Sequence, residues 1–315
     1  MKPVTENLAN GWQVNLHPHR EILSRSVVQQ GLDLIKRWVP LFPVETTWVQ
    51  NTYKVPSLFL RIDFVLDEDG RMWACEVEDR PCGPGLLNKK DPHFATILAR
   101  MRAGWPPFRW VIDPDRVTDD EGWLGPGLSY NEAMESEGLL LLRNRPGKSQ
   151  YRALADRAVS TVWEEGNKRC FADLGLLQEV RWVSDPSDEE GGYLFPPVTR
   201  PVVIKPAQGT RSNEIEVYLR GVKWPHKKRS GDTLGFEAFL KRIQGGGVVC
   251  QPFFPPMRCE FLGSQYKGWN MIYRCFYGFD SKASDWVCMG GMWMALDSLI
   301  VHGTAETITG PLHVE

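Results

Sequence analysis

The sequence predicts an α+β fold with mixed or antiparallel sheets flanked by helices. Three observations predict it. Residues 57–78 read as a β-hairpin, with LFLRIDFVL, the turn DEDG and the return strand RMWACEVE. Residues 20–39 place Ile22, Leu23, Val27, Val28, Leu32, Ile35 and Val39 on an approximate helical stripe that Pro40 and Pro43 end. From Val248 onward the chain reads as strands, VVCQPF, NMIYRCFYG and DWVCMGGMWMA, without the regular helix–strand alternation of βαβ units.

Other elements fall between these. Asp91-Pro92 opens a helix with a capping carboxylate and a proline at the first helical position, and Gly104 closes it. FRWVI (108–112) and GLLLLR (138–143) are strand-like. Ser149 to Glu165 carries an amphipathic helical pattern through Tyr151, Leu154, Ala155, Ala158, Val159 and Val162. SDPSDEEGG (184–192) is a loop, PVVIK (201–205) a buried-type strand, EIEVYL (214–219) an alternating one, and Leu234 to Ile243 a short helix.

Composition narrows the function. The chain has 315 residues, 42% hydrophobic, enough for a substantial core. A formal charge of -2 gives no bulk attraction to nucleic acid or an anionic membrane, so neither is an expected partner. The basic run Lys223 to Arg229 is either a solvated loop or a contact for an anionic substrate. Seven cysteines without a CxxC pair fit neither a disulfide framework nor a zinc site, and free thiols point to a reducing compartment. The first twenty residues lack the apolar core of a signal peptide, and no apolar run approaches the ~20 residues that span a bilayer. The expected location is the cytoplasm.

The hairpin carries the first candidate chemistry. Alternation puts Arg61 and Asp63 on one face of their strand, and Glu76 and Glu78 on one face of theirs. An even turn, such as the four residues Asp67 to Gly70, sets Leu66 opposite Arg71, Arg61 opposite Glu76 and Asp63 opposite Ala74. All four charged side chains then share a face, with Asp63 a diagonal neighbour of Glu76 at about 7–8 Å. An odd turn would scatter them. Converging carboxylates repel one another and suit a hard cation such as magnesium. The plainer alternative is an exposed acidic face partly neutralised by Arg61.

Lys205 ends the apolar strand PVVIK and precedes the small polar loop around Gly209 to Ser212. A lysine on a buried strand is costly unless its ammonium reaches water or an anion, and glycine-containing loops can turn N–H groups toward phosphate. Snorkelling to water is the simpler alternative.

These segments resemble the ATP-grasp enzymes. RIDFVLDEDGRMWACEVEDRPCG is similar to the metal-binding hairpin of D-alanine–D-alanine ligase: Asp63 matches the first metal ligand, Glu76 the bridging glutamate and Arg61 the phosphate-contacting arginine. Glu78 stands where that family usually has asparagine, which keeps an oxygen ligand and adds a charge. VVIKPAQGTRS resembles the phosphate strand and its mobile loop, with Lys205, Gly209, Arg211 and Ser212 in the matching positions. GNKRCFADLGL resembles the segment bearing the first ATP lysine, here Lys168. VVCQPFFPPMRCEF resembles the hinge strand, where Gln251 would meet adenine and Glu260 the ribose; Arg274 would face the phosphates. The hairpin precedes the lysine strand, an order that resembles glutathionylspermidine synthase and other circularly permuted ATP-grasp proteins.

The resemblance implies an N-terminal helical segment (1–50), the metal hairpin (51–90), a small α/β segment (91–145) and a core with lysine strand, hinge and C-terminal strands (146–315). It implies an ATP- and magnesium-dependent ligase that joins a small-molecule or peptide-like carboxylate to an amine through an acyl phosphate. Magnesium would rest on Asp63, Glu76 and Glu78. Lys168, Lys205, Arg61 and Arg274 would neutralise phosphate charge, and Arg211 would close over the transferred group. A phosphotransferase, or a degenerate nucleotide-binding or interaction protein, are the alternatives.

Overall fold

The structure is a computed structural model that describes residues 3–7, 13–41, 46–67, 69–78, 83–111, 127–142, 152–160, 181–183, 201–206, 215–218, 248–299, 301 and 306–315. It is a mixed α+β fold in which helices flank a mixed sheet. The chain divides into two compact units, one of Met1–Glu164 with Pro256–Glu315, the other of Glu165–Pro255.

In chain order, the first unit contributes β1 (Val4–Asn7), β2 (Gln13–Leu16), β3 (Glu21–Leu23), α1 (Arg25–Trp38), α2 (Trp48–Tyr53), β4 (Phe59–Leu66), β5 (Met72–Glu78), α3 (Pro84–Lys90), α4 (Pro92–Gly104), β6 (Phe108–Val111), α5 (Tyr130–Glu135) and β7 (Leu139–Leu142). The second unit holds β8 (Arg181–Val183), β9 (Val202–Pro206), β10 (Glu216–Tyr218) and β11 (Val248–Pro252). The chain then returns to the first unit with β12 (Asn270–Asp280), β13 (Asp285–Leu296) and β14 (Ile308–Val314).

The main sheet has eight strands in the order β1-β2-β14-β13-β12-β4-β5, with β3 also on β14. All pairs are antiparallel except β14 with β2 and with β3. Both faces are covered. On one, α1 packs so closely that a Cβ at Gly31 would lie 2.2 Å from the Tyr277 hydroxyl. Ser24 caps this helix by accepting from the Val27 N–H, and Val27, Gly31, Ile35 and Trp38 form its buried stripe. On the other face, Phe94 of α4 meets Phe276 edge to face at 5.6 Å between ring centroids. Asp91 caps α4 through the His93 N–H, and Phe94, Leu98 and Met101 are its buried residues.

A smaller parallel pair, β6 with β7, has its own core of Val111, Ala133, Leu140, Leu142, Leu154 and Ala158. The second unit's strands form an antiparallel sheet ordered β10-β9-β11-β8.

One expectation is corrected here. The helix expected over 149–165 does not run through its described part, 152–160: Arg152 is helical, one turn follows at Ala155–Arg157, and Ala158 then bridges to Leu140. Leu154, Ala155, Ala158 and Val159 are buried as the pattern required. Tertiary pairing claims their backbone instead: Val159 N–H donates to Leu140 O, Val49 N–H to Ala158 O and Leu58 N–H to Val159 O. Within residues 1–50, β1, β2 and β3 precede α1. Within 146–315, β12 to β14 pair into the sheet that holds β4, while β8 to β11 form the second unit's sheet. The helix expected over 234–243 and the loop at 184–192 lie outside the described residues.

Candidate functional site

The hairpin of β4 and β5 brings its charges together, by a different register from the one parity predicts. Leu66 pairs with Met72, not Arg71, so the connection holds an odd five residues. That register alone would set Asp63 across from Cys75 and turn Glu76 to the other face. A bulge corrects it. The register shifts between Asp63 and Phe64, so that Cys75 falls between the pairs Asp63–Glu76 and Phe64–Ala74, and Arg61 pairs with Glu78. Ala74 moves to the opposite face with Phe64.

On its other side β4 pairs with β12, where Arg274 lies across from Asp63 and Phe276 from Arg61. One face therefore carries two rows, Glu76–Asp63–Arg274 and Glu78–Arg61–Phe276. Beta5 is the edge strand, so the glutamates lie at the margin and Asp63 lies inside the sheet.

Ion pairs knit this face. Arg61 Nε lies 2.9 Å from Asp63 Oδ1, and its Nη2 donates to Oδ2 at 3.3 Å. Arg274 Nε donates to Asp63 Oδ1 at 3.1 Å and Nη2 to Oδ2 at 2.9 Å. Arg61 also reaches Glu78 at 2.8 Å and Glu76 at 3.6 Å. The Arg61 and Asp63 side chains are 4% and 5% exposed, whereas those of Glu76 and Glu78 are 37% and 35% exposed.

Burial works against ionisation of Asp63, but Arg274 and then Arg61 outweigh it and hold its carboxyl below the usual aspartate range. Glu78 goes the other way. Burial pushes it up, Arg61 opposes the rise, and Glu76 and Asp63 add to it. The signs for stability follow. Asp63 stabilises the fold above its unfolded value of about 3.9 and loses that contribution as pH falls through its lower folded value. Glu78 has a folded value above the unfolded ~4.3, so the folded state binds the extra proton and stability falls as pH rises through that window. Glu78→Gln is therefore expected to raise Tm relative to wild type near pH 7, with the gain shrinking towards about pH 4. Thermal melts across that range check it; a difference independent of pH would contradict the raised carboxyl.

In the second unit, Lys205 and Gln251 share a face of their sheet, because Val203 pairs with Gln251 and Lys205 with Val249. The buried ammonium of Lys205 donates to Gln251 Oε1 at 3.0 Å. The lysine that burial would penalise thus has an acceptor on the neighbouring strand. Glu260 lies in the first unit, exposed on the loop between Pro252 and Asn270. Lys168, Gly209, Arg211 and Ser212 lie outside the described residues.

No protein-family model matches the chain, and no curated protein matches it in sequence. The site's own chemistry therefore carries the functional reading.

Among the described residues, no group of three or more His, Cys, Asp or Glu side chains is placed to hold a metal ion. On the hairpin, both oxygens of Asp63 face guanidiniums. Glu76 and Glu78 fit better. They stand two residues apart on one face of an edge strand, partly exposed, and magnesium takes one or two carboxylates when phosphates and water complete its shell.

One buried hydrogen-bonded pair is not signalled by the sequence. His313 Nε2 lies 2.8 Å from Asp91 Oδ2, with His93 stacked on His313 at 4.3 Å. The Asp-Pro signature announced the cap, but nothing local announces a partner from β14. Among the described residues no helix is long and apolar enough to cross a membrane.

Proposed function

We propose that the chain is an ATP- and magnesium-dependent carboxylate–amine ligase acting through an acyl phosphate. The observation that carries this is the charged face, where Arg61, Asp63, Glu76, Glu78 and Arg274 come from three adjacent strands in register. The buried Lys205–Gln251 pair supports it, since both residues hold positions that the ATP-grasp resemblance gives to nucleotide contacts.

A carboxylate is a poor electrophile until phosphorylated, so the protein's task is to neutralise phosphate charge and align the reactants. Arg274 would offer donors matched to phosphate oxygens, and the enclosed Arg61 adds positive charge behind it. Glu76 and Glu78 would hold the magnesium, which supplies charge neutralisation on the phosphates when bound. Asp63 fixes the two guanidiniums before any ligand arrives, which lowers the cost of ordering them on binding.

The test is release of ADP and phosphate from ATP and magnesium across a panel of small and peptide-like carboxylates, with and without amines. Release that requires both carboxylate and amine supports a ligase. Phosphate retained on an acceptor identifies a phosphotransferase. The saturation of Asp63 by two arginines, with Glu78 in place of asparagine, favours as second reading a nucleotide-binding protein without transfer; ATP binding with no turnover on any pair is its signature.

A further inference from the structure

Given the ligase function proposed above, we infer that Asp63 is a positioning residue, one that holds Arg274, with the enclosed Arg61 behind it, as a clamp for a phosphate oxyanion and leaves the divalent cation to Glu76 and Glu78.

An ionised carboxylate has about four lone-pair sites. At Asp63 three are filled by hydrogen bonds, from Arg274 Nε to Oδ1 at 3.1 Å, Arg274 Nη2 to Oδ2 at 2.9 Å and Arg61 Nη2 to Oδ2 at 3.3 Å, and Arg61 Nε lies 2.9 Å from Oδ1 as an ion-pair contact. A cation on Asp63 has to displace one of these charge-assisted contacts inside the sheet, where the side chain is 5% exposed. A cation on the glutamates meets side chains 37% and 35% exposed, and shares them with Arg61, which lies 2.8 Å from Glu78 and 3.6 Å from Glu76.

The two arginines differ in what they can offer a ligand. Arg61 is enclosed, with Glu76 and Glu78 beside it. Arg274 has a side chain 16% exposed, and among the described residues its Nη1 makes no hydrogen bond, since Nε and Nη2 are the atoms turned to Asp63. Arg274 thus keeps donor capacity while Asp63 fixes its orientation. Charge is graded across the face: cationic where β12 meets β4, anionic at the β5 margin. A phosphate chain bridging a metal and guanidiniums matches that gradient.

The test separates the two ligands. Full-length wild type, Asp63→Asn, Arg274→Gln and the double variant Glu76→Gln/Glu78→Gln are titrated with Mn2+ alone, and separately with inorganic pyrophosphate in the presence of EDTA. Circular dichroism checks each fold. Asp63→Asn and Arg274→Gln are expected to keep Mn2+ affinity within about threefold and to weaken pyrophosphate about tenfold or more. The glutamate variant is expected to weaken Mn2+ about tenfold or more. Loss of Mn2+ in Asp63→Asn to the same degree as in the glutamate variant overturns the assignment. So does tighter Mn2+ binding in Arg274→Gln, which would mean a metal-binding Asp63 held in check by that arginine; this arm decides the matter if Asp63→Asn does not fold. A wild type that binds neither probe also overturns it. Neither titration needs turnover, so the expected split in a protein that never consumes ATP removes the ligase function and leaves the clamp standing.

Discussion

Arg61→Ala is expected to destabilise the fold by about 3–5 kcal/mol, the usual cost of stripping one partner from a buried charge pair. The guanidinium is 4% exposed and lies against Asp63, Glu76 and Glu78. Its removal leaves three carboxylates facing one another with Arg274 as the cation on this face. Part of the loss returns at low pH, because protonating the carboxylates removes their repulsion. Urea denaturation near pH 7 and near pH 4 measures both parts. A loss under about 1 kcal/mol at neutral pH, the scale of an exposed ion pair, would mean the charges are solvated rather than buried.

Gly291→Ala is expected to cost about 3 kcal/mol or more, at the upper end for overpacking. An added Cβ would lie 1.9 Å from the Arg274 carbonyl oxygen, so β12 and β13 could not keep their spacing. The adjoining Gly290 has φ 84 and follows Met289, the residue left over where the β12–β13 register shifts between Phe276 and Tyr277. A side chain at Gly291 therefore disturbs the strand that presents Arg274, whereas one at Gly290 would meet the Leu312 carbonyl of β14. Gly104→Ala is the control, with nothing within 4 Å of the new Cβ and no expected loss. Parallel thermal melts of the two variants decide the matter; equal Tm values would contradict the close approach of β12 to β13.

Much of the fold is legible where local chemistry marks both ends of an element. The Asp-Pro cap and Gly104 bracket α4, and the β-branched and aromatic runs bracket β4, β9, β12 and β13. Legibility fails where distant partners decide. Beta14 contains Gly310 and Pro311, which argue against a strand. Yet Gly310 faces the Trp293 ring, 2.5 Å from where a Cβ would stand, and β14 joins the sheet through β13, β2 and β3. Ala158 and Val159 fit a helical pattern, but their backbone serves β7 and the segments around α2.

The charged face shows the limit most clearly. Alternation assigns Arg61 and Asp63 one face of β4, and Glu76 and Glu78 one face of β5, but not the register between them. The faces coincide because an odd connection is offset by one bulged residue, Cys75, and ACEVE does not announce a bulge. The arginine partner of Asp63 from β12 lies 211 residues away, beyond any local pattern.

The central claim, that this face binds magnesium nucleotide, is tested most directly by calorimetric titration of a non-hydrolysable ATP analogue into wild type and Glu76→Gln/Glu78→Gln, with and without magnesium. The expected result is saturable, magnesium-dependent binding by wild type, weakened about tenfold or more in the variant, a difference of at least ~1.4 kcal/mol. Absence of binding by wild type, or equal affinity in both proteins, would contradict it.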